Sequence, residues 1–268
     1  MIDVTIASYN MSTASGTGLY KRRTLYPDGH EPSEVRFIER AQRPYEFFKI
    51  AIQHLKTFIQ EYEPAAMGLQ EFPSAKTIKI KGYERLRGCD PTSGACIVTL
   101  WKKTVFGSLQ NAYIADLGET PGLPYEAKDR GRPISICLTA NGFVLINLHG
   151  PRGENTKAYA TLLAKAIQIH YGTAMRKFGD PTVSVDRILL MGDFNDSRSH
   201  LKVKIDGHAF QVNAIKSCCF PNYTYAGDYC LGQHVVRALK IYPSPTGPDG
   251  GSKASDHELV FATFRVPQ

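Results

Sequence analysis

The chain has 268 residues, 43% of them hydrophobic and 21% charged, and 32 Lys+Arg against 25 Asp+Glu leave a net charge of +7. That balance excludes disorder, coiled coil and collagen and allows a substantial core. No window reaches the roughly 18 to 20 apolar residues of a membrane helix, and the N-terminus lacks the basic, apolar and small-residue succession of a signal peptide, so no membrane span is expected and an intracellular place, cytoplasmic or nuclear, is favoured.

Ile2 to Tyr9 reads as a strand, followed by a polar, Gly-rich loop from Asn10 to Gly18. From Pro44, the apolar residues Phe47, Phe48, Ala51, Ile52, Leu55, Phe58, Ile59 and Tyr62 recur at helical spacing. Pro44 suits a first turn and Pro64 a stop. Ala66 to Leu69 is a short buried strand that delivers Gln70 and Glu71 at its end. Tyr83–Arg87, Ala95–Trp101, Asn111–Leu117, Ile134–Thr139 and Phe143–Leu148 read as further strands, the last two joined by an Asn141-Gly142 hairpin turn. A second helix runs from about Asn155 to Lys177, with His170 on its apolar side as a packed histidine rather than a ligand. Arg187 to Met191 is a buried strand ending at Gly192-Asp193. A polar segment follows, then a strand around Tyr229–Leu231, a Pro/Gly-rich loop from Pro243 to Gly251 and a terminal strand from Leu259 to Val266. No internal repeat or linker divides the chain, so a single domain over residues 1–268 is expected.

The 6 cysteines form no CxxC pair and no Cys/His spacing of a zinc site. Buried structural thiols are the default reading, while a Cys89–Cys96 bridge across the intervening turn is open to an oxidising compartment. Basic residues gather in Lys21-Arg22-Arg23, from Lys76 to Lys81, and in Lys102-Lys103. Phosphates attract such groups at long range, but a solvated surface with a slight imbalance has the same composition.

Five polar clusters sit where an apolar strand ends or begins: Ser8-Tyr9-Asn10, Leu69-Gln70-Glu71, Asn147-Leu148-His149-Gly150, Met191-Gly192-Asp193-Phe194-Asn195 and Ser255-Asp256-His257. Strand ends converging on one edge of a sandwich can assemble a site from residues distant in sequence. Carboxylates and amides suit a hard divalent cation, a carboxylate or imidazole can activate water, and donors can neutralise charge on a phosphate. The set is suited to hydrolysis of a phosphate ester.

In this order the clusters resemble the endonuclease/exonuclease/phosphatase superfamily, whose fold is shared by DNase I, the AP endonucleases, sphingomyelinases and inositol-polyphosphate 5-phosphatases. The resemblance runs from Asn10 to His257 with Gly192-Asp193-Phe194-Asn195 and Ser255-Asp256-His257 intact. It implies an α+β fold: a four-layer α/β sandwich of two packed, mostly antiparallel β-sheets flanked by helices. It also implies Mg²⁺, with Mn²⁺ as a substitute, held mainly by Glu71 with Asn10 and Asp256. Asn10 also contacts a scissile phosphate oxygen in this reading. Asp193 matches the residue that orients or deprotonates water, Asn195 the amide that steadies phosphoryl oxygens, and His257 the histidine on the scissile phosphate. Asp228 is the candidate partner of His257. His149, where AP endonucleases typically have Tyr, matches the acid for the leaving oxygen. Arg132, in Gly131-Arg132-Pro133, resembles a substrate-binding feature of DNase I.

Two departures refine the expectation. Ser12 stands where some relatives carry a second metal-side carboxylate, which favours one dominant Mg²⁺. The Trp-x-Asp-Arg pattern of the inositol phosphatases is not evident around Tyr223 to Asp228. The expected activity is Mg²⁺-dependent phosphodiester hydrolysis by a monomeric, DNase I-like nuclease with DNA as favoured substrate and little sequence specificity. The alternatives are a phosphatase or phosphodiesterase acting on a phospholipid, inositol phosphate or tyrosyl-DNA adduct, and, in another class, a catalytically silent binding module.

Overall fold

The computed structural model describes residues 1–11, 44–73, 76–89, 95–120, 132–151, 157–195, 200–213, 215–218, 226–246, 254–255 and 257–268. Its strands are β1 (Ile2–Asn10), β2 (Ala66–Pro73), β3 (Tyr83–Cys89), β4 (Ala95–Lys102), β5 (Leu109–Asp116), β6 (Pro133–Thr139), β7 (Val144–His149), β8 (Ile188–Asp193), β9 (His200–Ile205), β10 (His208–Asn213), β11 (Asp228–Leu231), β12 (Val235–Tyr242) and β13 (Leu259–Val266). The helices are α1 (Pro44–Tyr62), α2 (Lys103–Phe106) and α3 (Lys157–Lys177).

A six-stranded sheet has the order β12-β13-β1-β2-β4-β3, and a five-stranded sheet the order β11-β8-β7-β6-β5. Each contains one parallel pair, β1 with β2 and β7 with β8, among otherwise antiparallel neighbours. Strand β1 shows why the layers form. Its residues alternate between two faces, as the pleat requires. Val4 and Ile6 join the core between the sheets, while Ala7 and Tyr9 join a second core with Phe48, Ala51, Leu55 and Phe58 of α1. On the other side of the molecule α3 packs Tyr159, Leu163, Ala166 and Ile167 into the same core as the five-stranded sheet. The result is helix, sheet, sheet, helix, with the expected four layers.

The interface between the sheets is apolar near Ile6, Cys137 and Leu145 and becomes polar toward the carboxyl ends of β1 and β2. There Gln70 Nε2 donates to Asn147 Oδ1 at 2.8 Å across the sheets, and Asn147 Nδ2 donates to Val98 O at 3.1 Å. Thr99 and Ser135 join their hydroxyls at 2.9 Å. Buried polar groups are retained where they are paired, and here they lead directly into the candidate site. Gly68 permits this approach, since a Cβ there would lie 2.6 Å from Asn147 Oδ1.

Three elements differ from the sequence reading. The segment after β8, read as polar, contains the hairpin β9–β10, whose register pairs Ile205 with His208 around Asp206-Gly207. Val203, Ile205 and Phe210 are buried in the main core, which explains the pairing. β12 is an edge strand with most of its residues exposed, so it carries little hydrophobic period. α2 is a single turn beyond β4, too short to show a helical pattern. His170 is a packed histidine as expected, with ring nitrogens 2.9 Å from Tyr113 OH and 2.9 Å from Thr120 Oγ1.

Candidate active site

The two parallel pairs determine where the polar clusters go. Parallel pairing sets Asn10 beside Gln70 in one sheet and His149 beside Asp193 in the other. Both pairs end at the same edge of the sandwich, and packing of the sheets brings Asn10 Nδ2 within 2.9 Å of Asp193 Oδ2.

Glu71 reaches this edge through a bulge. Met67 and Leu69 face α1, so unbroken alternation would send Glu71 the same way. Instead the register with β4 slips between Leu69 and Phe72, and Glu71 adopts a left-handed φ of 50°. Phe72 takes the place against α1, edge-to-face with Phe48 at 5.5 Å between ring centres. The Glu71 carboxylate is released toward the site, with Oε1 3.4 Å from Asn10 Nδ2 and 3.8 Å from His149 Nε2. Bulges commonly re-aim one side chain in this way.

Asp193 closes β8 with its side chain 1% exposed. Oδ1 accepts the backbone N–H of Asn195 at 2.8 Å, and Oδ2 lies 3.7 Å from His149 Nε2 and 3.9 Å from His257 Nε2. Burial pushes its carboxyl above the usual range, helped by the charge of Asp228, while His257, Asn10 and the Asn195 N–H oppose the rise. Asn195 has a φ of 49° and donates Nδ2 to Gly150 O at 2.7 Å, tying the loop after β8 to the end of β7.

His257 is held from both sides. Nδ1 bonds Asp228 Oδ2 at 2.9 Å, and the same oxygen accepts Ser217 Oγ at 2.8 Å. The backbone of His257 bridges to Cys218, and Ser255 Oγ accepts His257 N at 3.1 Å while donating to Asn10 O at 2.7 Å. Nε2 faces Asp193 and lies 3.3 Å from Cys218 Sγ, the sulfur of a disulfide-bonded cysteine. On the opposite wall Arg132 Nη1 donates to the His149 ring, 2.5 Å from Nε2 and 3.2 Å from Nδ1.

Asn10, Glu71, Arg132, His149, Asp193, Asn195, Asp228 and His257 are thus brought together at one edge. Asp256, an expected metal ligand, lies outside the described residues. Sequence reasoning missed Ser217, whose hydroxyl has no local signal and is aligned on Asp228 by the long-range pairing of Cys218 with His257 and by the bond from Glu258 N to Ser217 O. It also gave no role to Ser255, Gln70 and Asn147, although the polar clusters contain them.

Among the described residues, two sets of ligand atoms are candidates for a cation. Asp193, Asp228 and His257 offer atoms within 4.8 Å of one another, but Asp228 and His257 already bond each other. Glu71 and Asp193 present carboxylate oxygens on either side of the Asn10 amide, and the Glu71 side chain keeps 16% exposure at the rim. Oxygen donors converging from a partly open wall fit a hard divalent cation better.

No protein-family model matches the sequence, and no curated protein does so. Solved structures do match in fold. TDP2 of D. rerio complexed with a single-strand DNA product has a TM-score of 0.54 at 13% identity, covering 99% of this chain and 100% of that one. The human Nocturnin catalytic domain with bound sulfate has a TM-score of 0.57 at 12% identity over 99% of this chain and 95% of that one. ANGEL2, described as a 2′,3′-cyclic phosphatase and complexed with adenosine-2′,3′-vanadate, has a TM-score of 0.58 at 13% identity over 99% and 96%. The chain has the DNase I-like fold that these structures share.

Proposed function

We propose that this chain is a Mg²⁺-dependent phosphodiester hydrolase acting on nucleic acid, with DNA as the favoured substrate. The observation that carries the reading is the convergence of Glu71, Asn10, His149 and Asp193 with the Asp228–His257 pair at the carboxyl ends of both parallel strand pairs. Similar folds hold a DNA product, a sulfate and a nucleoside vanadate, which supports a phosphoryl substrate. The net charge of +7 adds long-range attraction for a polyanion. Contacts to phosphate position a strand without reading bases, so low sequence specificity is expected.

Glu71 and the Asn10 amide, with Asp256, would hold the cation, which when bound supplies positive charge to a phosphoryl oxygen. Asp193 orients the attacking water and accepts its proton, a role suited to a carboxyl raised by burial. Asn195 fixes Asp193 through its backbone N–H. His257, aligned by Asp228, offers Nε2 to the phosphoryl group. His149 faces the leaving oxygen, and the guanidinium of Arg132 beside it binds the neighbouring phosphate. The chain is read as one catalytic domain acting as a monomer. No described helix is long and apolar enough to cross a membrane. The Cys89–Cys96 disulfide replaces the default of free thiols and favours an oxidising setting over the cytosol.

The test is hydrolysis of supercoiled DNA, single-stranded DNA, RNA, inositol phosphates, sphingomyelin and a 5′-tyrosyl oligonucleotide, with Mg²⁺ and with excess EDTA. Turnover of DNA that EDTA abolishes is expected, together with a loss of more than tenfold in Asp193→Ala, since removal of a general base typically costs about 10²- to 10⁴-fold. Equal rates in EDTA refute the metal, and a loss below tenfold in Asp193→Ala refutes its role. Preference for an RNA end or a lipid reassigns the substrate, and no turnover on any ester favours a binding module.

A further inference from the structure

We infer that Arg87 and the Cys89–Cys96 disulfide form a redox-sensitive clasp that positions Glu71, so that reduction weakens cation binding without unfolding the protein. The inference rests on the reading of Glu71 as a cation ligand. Glu71 is the bulged residue between two anchored stretches of β2. On its amino side Gln70 is fixed, with Oε1 accepting Ser8 Oγ at 3.3 Å and Nε2 bound to Asn147. On its carboxyl side the pairing with β4 resumes at Phe72 opposite Cys96 and Pro73 opposite Ala95. That resumption, together with the seating of Phe72 on Phe48, keeps the extra residue turned out toward the site.

The carboxyl-side anchor is where the clasp sits. Cys96 faces Phe72 on one side of β4 and Cys89 of β3 on the other, and Cys89 and Cys96 are joined by a disulfide. Arg87 of β3 reaches over the same place. Nη2 donates to Pro73 O at 3.2 Å, and Nη1 donates to Lys76 O at 3.0 Å. Nε lies 3.0 Å from Cys89 Sγ and Nη2 3.3 Å from Cys96 Sγ. One planar guanidinium therefore connects the segment after the bulge to both sulfurs. Its rigid fork suits several fixed acceptors in a way a lysine ammonium does not.

The same arrangement makes the bridge reducible. Cys89 is exposed and Cys96 is buried, so an external thiolate attacks Cys89 Sγ. The S–S bond breaks, and its electron pair leaves on Cys96 Sγ beside Arg87, whose positive charge favours the thiolate. A second external thiol resolves the mixed disulfide at Cys89, giving two protein thiols and one external disulfide. Strands β3 and β4 remain paired from Tyr83 to Gly88, so the change is confined to the strand ends that hold β2 beyond Glu71.

The experiment measures Mn²⁺ binding by electron paramagnetic resonance on the oxidised protein and after reduction with a phosphine, with far-UV circular dichroism as the check on folding. Supports of a ligand typically contribute about tenfold to hundredfold to metal affinity. A weakening of that size is expected on reduction, in the Cys89→Ser/Cys96→Ser pair irrespective of reductant, and in Arg87→Gln. Arg87→Lys is expected to behave as Arg87→Gln, because spanning the acceptors and not the charge alone is what positions Glu71. Equal affinity in oxidised and reduced protein overturns the clasp, and full recovery in Arg87→Lys overturns the role given to the guanidinium fork. Glu71→Gln in the oxidised protein separates the premises. Wild-type Mn²⁺ affinity there refutes Glu71 as a ligand, whereas lost affinity there with no effect of reduction refutes only the clasp.

Discussion

Asp228→Asn tests the electrostatic role of the buried carboxylate behind His257. Both acceptor contacts of Asp228, to His257 Nδ1 at 2.9 Å and Ser217 Oγ at 2.8 Å, fall on Oδ2. Oδ1 is buried without a hydrogen-bond partner among the described residues. An asparagine can keep its carbonyl oxygen in the Oδ2 position and place its amide nitrogen where Oδ1 was. The substitution therefore removes charge with little change of shape. A hydrogen bond to a charged group is worth about 1.5–3 kcal/mol. Losing that support when His257 carries positive charge converts to roughly tenfold to hundredfold in rate at about 1.4 kcal/mol per decade. The assay is the initial rate on a DNA substrate at saturating Mg²⁺, with circular dichroism to confirm the fold. A rate within threefold of wild type refutes the reasoning. Asp228→Ala leaves His257 and Ser217 facing an empty pocket and should fall further, with a loss of stability that Asp228→Asn does not share.

Burial lowers the proton affinity of His170 below the ordinary histidine value, with Asp116 opposing, so its contribution to stability is present above about pH 6.5 and is lost as pH falls through the lower folded-state value. Urea titrations from about pH 8 to 5 should show that loss, and His170→Gln should flatten it; an unchanged slope counts against the assignment. Gly192→Ala would place a Cβ 2.3 Å from Leu148 O, its parallel partner in β7, and should destabilise the fold by about 1–3 kcal/mol. Thermal unfolding checks this, with a decrease of roughly 3–10 °C expected and no change refuting the contact.

The strands most legible in the sequence are those buried on both faces, such as β6 and β7, where Ile134 to Leu138 and Val144 to Leu148 form apolar runs around Asn141-Gly142. The hairpin β9–β10 carried a readable signal as well, since Leu201, Val203 and Ile205 alternate with lysines before Asp206-Gly207. The lysines disguised it: among the described side chains Val203, Ile205 and Phe210 are buried, whereas Lys204, His208 and Ala209 are exposed. The bulge at Glu71 could not be read at all. Nothing in Leu69-Gln70-Glu71-Phe72 says that Phe72 rather than Glu71 will face α1. That choice is made by Phe48 on the helix and Cys96 on β4, both distant in sequence.

The site residues were legible because they sit at strand ends, but their roles depend on pairings that only the assembled sheets provide. In an antiparallel pair, neighbouring strands present opposite ends at one edge, so a polar cluster closing each strand would be scattered. The parallel pairs β1–β2 and β7–β8 set the carboxyl ends of four strands at a single edge. Asn10 and Glu71 thereby face His149 and Asp193 across the gap between the sheets. His257 then enters from the loop before β13, which runs antiparallel to β1 and so begins where β1 ends. The sequence could show which groups carry chemistry; the alternation of parallel and antiparallel neighbours is what turns them toward one another.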